Sequence, residues 1–241
     1  MMPNLNTVWV YLAGSPLLWL TATLLAYRIA NLVYEKSGRS ALANPVAISV
    51  ALLVLVLYVS NTPYKTYFDG AQFVHFLLGP VTVALAIPLY LQIEKLKRNW
   101  FALLAGAVIG GAAAIACAMG VAWLLGASQL TILSMAPKSV TIPIAMGITE
   151  KIGGLPTLTA VMVMLTGIFG AGISHYVFKL MKISDDTTCG FALGATAHGV
   201  GTARAFQVSE EAGAFSGLAM GLSGILTALL LPFVLKLLGV F

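Results

Sequence analysis

A lysine in a long apolar stretch is the residue whose surroundings best suit chemistry. Lys138 is flanked by Pro137 and Pro143, which interrupt helical hydrogen bonding, and by the hydroxyls of Ser139 and Thr141. Hydroxyl-bearing residues suit the start of a helix, and the amides and dipole of a first helical turn attract anions. The segment therefore predicts a broken helix that binds a carboxylate.

The position of this lysine sharpens the prediction. It is the only charge between residues 99 and 149. A lysine at the centre of a bilayer costs roughly 2.5–3.5 kcal/mol on insertion scales, so an intramembrane lysine indicates a functional site. A structural ion pair and a solvated loop tip are the alternatives.

A second polar cluster occupies residues 194–204. Three glycines there weaken a helix and allow a ligand to approach the backbone, while hydroxyl, imidazole and guanidinium groups offer polar contacts. The residues concerned are Gly194, Thr196, His198, Gly199, Gly201, Thr202 and Arg204. The sequence predicts a second helix break whose side chains contribute to the same substrate-binding site.

Two members of this cluster have alternatives. The reference pKa of histidine, near 6.5, makes His198 a candidate for proton coupling, whereas an ordinary hydrogen bond to a neighbouring helix is the other interpretation. Arg204 either contacts substrate or pairs with Glu210 or Glu211. No catalytic triad, phosphate-binding loop or metal-ligand spacing accompanies them, so we expect neither an enzyme nor a metal or other cofactor.

The composition indicates the kind of protein that carries these residues. Hydrophobic residues make up 59% of the 241 residues and charged residues only 9%, against about 25% charged in soluble domains. The uncharged runs reach the roughly 20 residues that cross a hydrocarbon core. We predict one all-α transmembrane domain over residues 1–241, with helices at 6–34, 41–60, 71–93, 99–126, 157–181, 187–208 and 212–239. The net charge of +5 comes mostly from loops, which indicates orientation rather than nucleic-acid binding.

The two halves of the chain show internal similarity. A shift of 115 places residues 76–92 on 191–207 without a gap, and Phe76, Leu78, Gly79 and Gln92 have identical counterparts. The copy in the first half carries a third helix break at Gly79 and Pro80. A GxxxG pattern follows each copy, at Gly106/Gly110 and Gly217/Gly221, and predicts close helix packing. We take 41–126 and 129–241 as repeat halves, with chance similarity as the alternative.

Charge bias predicts the topology. Lysine and arginine gather around residues 28–39, 95–98 and 179–182, and the positive-inside rule places all three groups in the cytoplasm. All three groups lie on the cytoplasmic side if 129–149 enters and leaves the membrane as a re-entrant hairpin. The same hairpin also inverts the two repeats. An extra or missing membrane crossing elsewhere in the chain would place the three groups on the same side equally well. The predicted fold has inverted repeats, broken crossing helices and about seven or eight membrane segments.

Two motifs resemble the LrgB family, also called CidB/LrgB. They are APKSVTIPIAM at residues 136–146 and GATAHGVGTARA at 194–205, and the stretches 44–45, 77–90 and 211–219 fit as well. The resemblance implies a multi-pass protein of the bacterial inner membrane, grouped with transporters that have inverted repeats and crossing broken helices. Family members often carry serine where this chain has Ala197.

The resemblance implies two functions. One is transport of small 2-hydroxy or 2-oxo monocarboxylates of the glycolate, glycerate or pyruvate type. The other is a holin- or antiholin-like component that regulates murein hydrolase export and autolysis with a small LrgA/CidA-type membrane partner. We expect the first, with Lys138 holding the carboxylate, and we expect a homo- or hetero-oligomer embedded in membrane lipid.

Overall fold

The computed structural model describes residues 16–38, 43–237 and 239, and these residues form helices and turns without a strand. In chain order the helices are α1 (Pro16–Lys36), α2 (Pro45–Val59), α3 (Tyr64–Phe76), α4 (Leu78–Ala84), α5 (Ala86–Leu91), α6 (Ile93–Leu124), α7 (Gln129–Met135), α8 (Ile142–Lys151), α9 (Pro156–Leu180), α10 (Asp186–Phe206) and α11 (Glu210–Leu237). Within this part of the chain, five stretches are long and apolar enough to cross a membrane: Leu17–Lys36, Tyr64–Leu91, Ile93–Leu124, Pro156–Leu180 and Glu210–Leu237. The chain is therefore an all-helical, multi-pass membrane protein.

The helix predicted over 71–93 differs from the structure. The helical run begins earlier, at Tyr64, and is interrupted at Leu77, Leu85 and Gln92. Pro80, with Gly79 before it, lies in the first turn of α4, where proline removes no helical hydrogen bond. The start of the helix predicted over 6–34 lies outside the described residues.

The chain divides into two compact units, one ending at Ala84 and one beginning at Leu85. In the first unit α1 packs against α2 and α3. The buried ring of Trp19 meets Tyr67 edge-on with centroids 5.8 Å apart. Asn44 caps α2 by accepting hydrogen bonds from the amides of Val46 and Ala47, a contribution of about 1 kcal/mol.

The second unit is built on three long helices. Helices α6, α9 and α11 contain 32, 25 and 28 residues, so they are about 48, 38 and 42 Å long. Each is longer than the roughly 30 Å of a hydrocarbon core. The shorter helices α7 and α8, together with α10, pack among them.

Close packing in the second unit occurs at glycines other than those predicted. A Cβ on Gly190 or Gly194 would lie 2.1 or 2.0 Å from a backbone carbonyl oxygen of α11, so α10 and α11 touch backbone to backbone. Gly110 and Gly221 have no atom within 4 Å of an added Cβ. The close packing that the two GxxxG patterns predict is therefore absent at these two glycines, whereas Gly106 and Gly217 make ordinary contacts with Phe191 and Leu85, at 3.6 and 3.7 Å from an added Cβ.

Candidate functional site

The structure places a break at the first predicted position. Helix α7 ends at Met135, the chain turns through 136–141, and α8 begins at Ile142. Pro143 lies in the first turn of α8, where its missing amide is harmless. Thr141 occupies the position before the helix and makes no side-chain capping bond. Its side chain therefore leaves the first-turn amides of α8 uncapped.

This break reverses the chain. The hydroxyl of Thr159 donates to the carbonyl of Ser134 at 2.8 Å and shares a 2.9 Å hydrogen bond with the hydroxyl of Thr149. Ser134 and Thr149 thus lie within about 6 Å of each other, whereas a continuous helix would separate them by about 22 Å. We call 129–151 the first hairpin. Ser134 and Thr149 lie level with each other at its base, and its tip is where the turn 136–141 meets the start of α8.

Neutral hydrogen bonds fasten the base of the first hairpin to α9. The hydroxyl of Ser134 donates to the carbonyl of Leu130 and accepts from the amide of Leu155. Gly154 approaches so closely that an added Cβ would lie 2.6 Å from the methyl of Thr149. The end of each arm therefore meets the start of α9.

Lys138 lies in the turn that leads to the tip of the first hairpin and is half-buried. Its ammonium donates to the hydroxyl of Ser139 at 3.4 Å. Among the described residues no carboxylate forms an ion pair with it. The ammonium also lies close enough to the ring of His198 to interact with it electrostatically.

The second predicted break is a reversal too. Within α10, Ala197 and His198 have non-helical backbone angles, and His198 has φ 41° and ψ −132°. This conformation, which glycine adopts far more readily, costs roughly 1–3 kcal/mol in another residue. We call 186–206 the second hairpin, with arms 186–196 and 199–206 and its tip at 197–198.

Charged groups fasten the base of the second hairpin. The hydroxyl of Ser209 donates to Asp186 at 2.7 Å, although a straight helix would hold these residues about 34 Å apart. Thr187 donates to Glu211 at 2.6 Å, and Lys95 of α6 forms an ion pair with the same carboxylate. The helix predicted over 187–208 is therefore not a single straight crossing, because both of its ends lie together.

A capping aspartate begins the second hairpin. Asp185 accepts hydrogen bonds from the hydroxyl and the amide of Thr188, at 2.6 and 2.8 Å. These two bonds, the hydroxyl first, hold the pKa of Asp185 below its usual value of 3.8. The carboxylate therefore remains charged at neutral pH.

The polar residues of the second hairpin occupy different places. His198 is buried, and its Nε2–H donates to the carbonyl of Val163 on α9 at 2.9 Å. Thr202 is buried, donates to the carbonyl of His198 and shares a 3.0 Å bond with Ser216 of α11. Both therefore join the tip to its neighbours, which is the structural alternative given above for His198.

The remaining predicted residues are more accessible. Thr196 is exposed and donates back to the carbonyl of Ala192. Gly199 is exposed next to the tip. Arg204 lies towards the base and donates to Gln207 at 3.1 Å. The structure thus separates Arg204 from the tip residues.

Two glycines of this cluster serve packing. An added Cβ would lie 2.0 Å from the carbonyl oxygen of Ser216 at Gly194, and 2.5 Å from that of Leu193 at Gly201. The first glycine lets α11 approach, and the second lets the two arms approach each other. Close approach of backbone to backbone therefore explains both positions, without a ligand.

The long helices run between the two hairpin bases. Helix α6 starts near Glu211, at the second base, and leads to the first hairpin. Helix α9 starts at the first base and leads to the second. Helix α11 starts at the second base, and its Leu231 and Leu235 pack in a core with Leu133 and Ile148 of the first hairpin. The hairpins therefore extend towards each other from opposite ends of these helices.

A groove of about 720 Å³ runs along α6 and the first arm of the second hairpin. Lys95, Arg98 and Asp185 line it near the base, and Thr196 lines it near the tip. Gly110 also lines it, and an added Cβ there would meet no atom within 4 Å. The groove thus connects the positively charged end of α6 with the region of the tip.

Comparison with known proteins identifies the family. Residues 23–237 match the model of the LrgB-like family. YwbG, an uncharacterized protein of Bacillus subtilis, is 37% identical over 89% of this chain and 95% of its own length. An uncharacterized Haemophilus influenzae protein is 33% identical over 86% of this chain and 90% of its own.

A third relative has a functional name. The antiholin-like protein LrgB of Bacillus mycoides is 29% identical over 93% of this chain and 98% of its own length. No solved structure matches the chain. Because the family model spans nearly all of the sequence and agrees with the motifs at both hairpin tips, the chain belongs to the LrgB-like family.

Proposed function

We propose that this protein is a carrier that moves a small monocarboxylate, of the 2-hydroxy or 2-oxo type, across the bacterial inner membrane. The observation that carries the proposal is the pair of hairpins that extend towards each other from opposite ends of the long helices, together with an ammonium that has no carboxylate partner among the described residues. An antiholin-like function is the second candidate, and the names of the relatives favour it over the carrier.

The arm lengths support re-entrant hairpins. Helix α8 has ten residues, about 15 Å, and the arm 186–196 is about 16 Å long. Each is about half of the 30 Å hydrocarbon core. Two hairpins that enter from opposite faces would therefore meet near the midplane, where carriers with inverted repeats bind their substrates. The order of a long helix followed by a hairpin occurs twice, in α6–α8 and α9–α10.

The charges at the tips support an anionic substrate. Helix α8 starts at the first tip, so its uncapped amides and positive dipole end face the same region as Lys138. Ser139 and Thr141 add hydroxyl donors. A carboxylate at this position would neutralise the lysine, whose burial in lipid is otherwise costly. The groove along α6 would admit the solute from the side of the positively charged loops.

Uptake into proteoliposomes tests the carrier proposal. Purified protein should accumulate radiolabelled pyruvate or glycolate, and Lys138→Ala should abolish uptake because the carboxylate loses its counter-charge. Lys151→Ala removes the same charge at the exposed end of the first hairpin and is the matched control, with uptake retained. Uptake that persists in Lys138→Ala would contradict the assigned role of the lysine.

The antiholin-like candidate makes a different prediction. In that case the protein acts without transporting solute or catalysing a reaction, and the hairpins serve packing and contact with a small LrgA/CidA-type partner in an oligomer. Wild-type proteoliposomes would then take up no carboxylate. In cells that lack the native gene, the Lys138→Ala variant would restore normal autolysis as fully as the wild-type protein does.

A further inference from the structure

Helix α11 passes beside both hairpin tips. On one side of its middle, the sulfur of Met220 lies 3.9 Å from the hydroxyl of Thr202, in the second hairpin. On the other side, a Cβ added to Gly224 would lie 3.0 Å from Ile144, in the first turn of α8. Ser223 lies between these two contacts along the helix.

The hydroxyl of Ser223 is unusual. Its residue is only 5% exposed, and among the described residues its oxygen has no hydrogen-bond partner. A serine in a helix can satisfy its hydroxyl with a carbonyl of the preceding turn, as Ser174 does with Ala171 at 3.0 Å. A buried polar group without a partner destabilises a protein, so such a group points to a ligand or a functional role.

The neighbouring hydroxyl on the same helix gives the contrast. Ser216 lies two turns before Ser223, so both face nearly the same side of α11. Ser216 is bonded to Thr202 in the second hairpin. Ser223 lies about 10 Å further along, beyond that contact and towards the first hairpin. Its hydroxyl therefore lies at the level where the two tips approach each other.

We infer that Ser223 belongs to the solute site and that its hydroxyl forms a hydrogen bond with an oxygen of the carboxylate substrate whose charge Lys138 holds. This inference rests on the proposed carrier function. It adds a contact from a third element, α11, to those from the two hairpins. Nothing in the sequence marks this position, since Ser223 is one small residue in a long apolar helix.

The test separates a ligand contact from a structural one. Ser223→Ala and Ser216→Ala are purified, and their melting temperatures are measured without substrate. Ser223→Ala should melt at or above the wild-type temperature, because it removes an unsatisfied hydroxyl. Ser216→Ala should melt lower, because it breaks the bond to Thr202.

Uptake of radiolabelled pyruvate gives the second readout. Loss of one hydrogen bond should raise the KM of Ser223→Ala roughly 3- to 10-fold. Ser174→Ala, which removes a hydroxyl bonded only within α9, should leave KM unchanged. A lower melting temperature in Ser223→Ala would show that its hydroxyl has a partner in the protein and would overturn the inference.

The outcomes for the two proposals differ. Wild-type uptake with an unchanged KM in Ser223→Ala would overturn the role of Ser223 alone and leave the carrier function standing. Absence of uptake by the wild type would overturn the carrier function and this inference with it.

Discussion

The two hairpins have the same shape and are held by different chemistry. The base of the first is fastened by neutral hydroxyls, Ser134, Thr149 and Thr159. The base of the second depends on the carboxylates of Asp186 and Glu211. The comparison teaches that only the second hairpin should respond to salt and to acid, because only its base is fastened through charged groups.

The tips differ as well. Prolines mark the first tip, and they predict a break because they cannot continue a helix. The second tip has no proline, and its reversal occurs at Ala197 and His198 rather than at one of the nearby glycines. Contacts of His198 with α9 and of Gly194 with α11 hold this reversal in place. Tertiary packing therefore determines the second tip, and local sequence determines the first.

The largest expected effect comes from the helix contact that the second hairpin alone possesses. Gly194→Leu would place a side chain within 2.0 Å of a carbonyl oxygen of α11, so the hairpin must leave its site. We expect a loss of more than about 3 kcal/mol in the free energy of unfolding, or failure to fold. Expression and thermal melting measure this loss.

A glycine on α6 supplies the control for that substitution. Gly111→Leu adds the same side chain where an added Cβ meets no atom within 4 Å, and it should fold like the wild type. Equal stability of Gly194→Leu and Gly111→Leu would contradict the backbone contact between α10 and α11.

The next effect concerns the first hairpin. Thr159→Val removes the hydroxyl that bridges Ser134 and Thr149 and leaves both without this partner. The free energy of unfolding should fall by about 1–3 kcal/mol, the usual result for buried polar groups left unpaired. Thr166→Val, on the same helix, is the matched control. The loss should not depend on salt. A strong salt dependence would contradict a hairpin base that is held together by neutral groups.

A smaller effect is expected at the base of the second hairpin. Glu211→Gln breaks the ion pair with Lys95. The side chain of Glu211 is 24% exposed and that of Lys95 is 41% exposed. Partly exposed pairs contribute up to about 1 kcal/mol, and salt weakens them. The difference in melting temperature from the wild type should therefore shrink at about 1 M salt. Glu210→Gln makes the same charge change beside it and should show little difference at either salt concentration.

The smallest effect is the pH dependence at Asp185. Its pKa is lowered in the folded protein, so its capping contribution is present above the ordinary value of 3.8 and is lost as the pH falls through the lowered value. Acidification to about pH 3 should destabilise the wild type slightly more than Asp185→Ala. Identical melting curves of the two proteins at every pH would contradict the capping role.

Part of this structure follows from the sequence alone. Apolar runs longer than a bilayer crossing predict α6, α9 and α11, because hydrophobic length is a local property. Pro137 and Pro143 locate the first break. The glycines of 194–201 predict a break in this segment, but they do not predict that the chain turns back at His198, which depends on contacts with α9 and α11. Ser223 was missed for the same reason.

The repeat is a related case. The similarity between 76–92 and 191–207 placed the boundary of the halves near residue 126, and that boundary stays a prediction. The structure presents another internal order, in which a long helix is twice followed by a hairpin. Spatial contacts between hydroxyls and carboxylates reveal this order, and sequence identity does not.

Labelling of single cysteines from each side of the membrane tests the central claim most directly. In a protein with Cys117 and Cys189 replaced by serine, one cysteine is placed at Gln129 or Glu150 beside the first base, or at Ser184 or Val208 beside the second. Two hairpins entering from opposite faces predict that an impermeant thiol reagent reaches the first pair from one side only and the second pair from the other. Labelling of positions 184 and 208 from opposite sides would show that α10 crosses the membrane and would contradict the account.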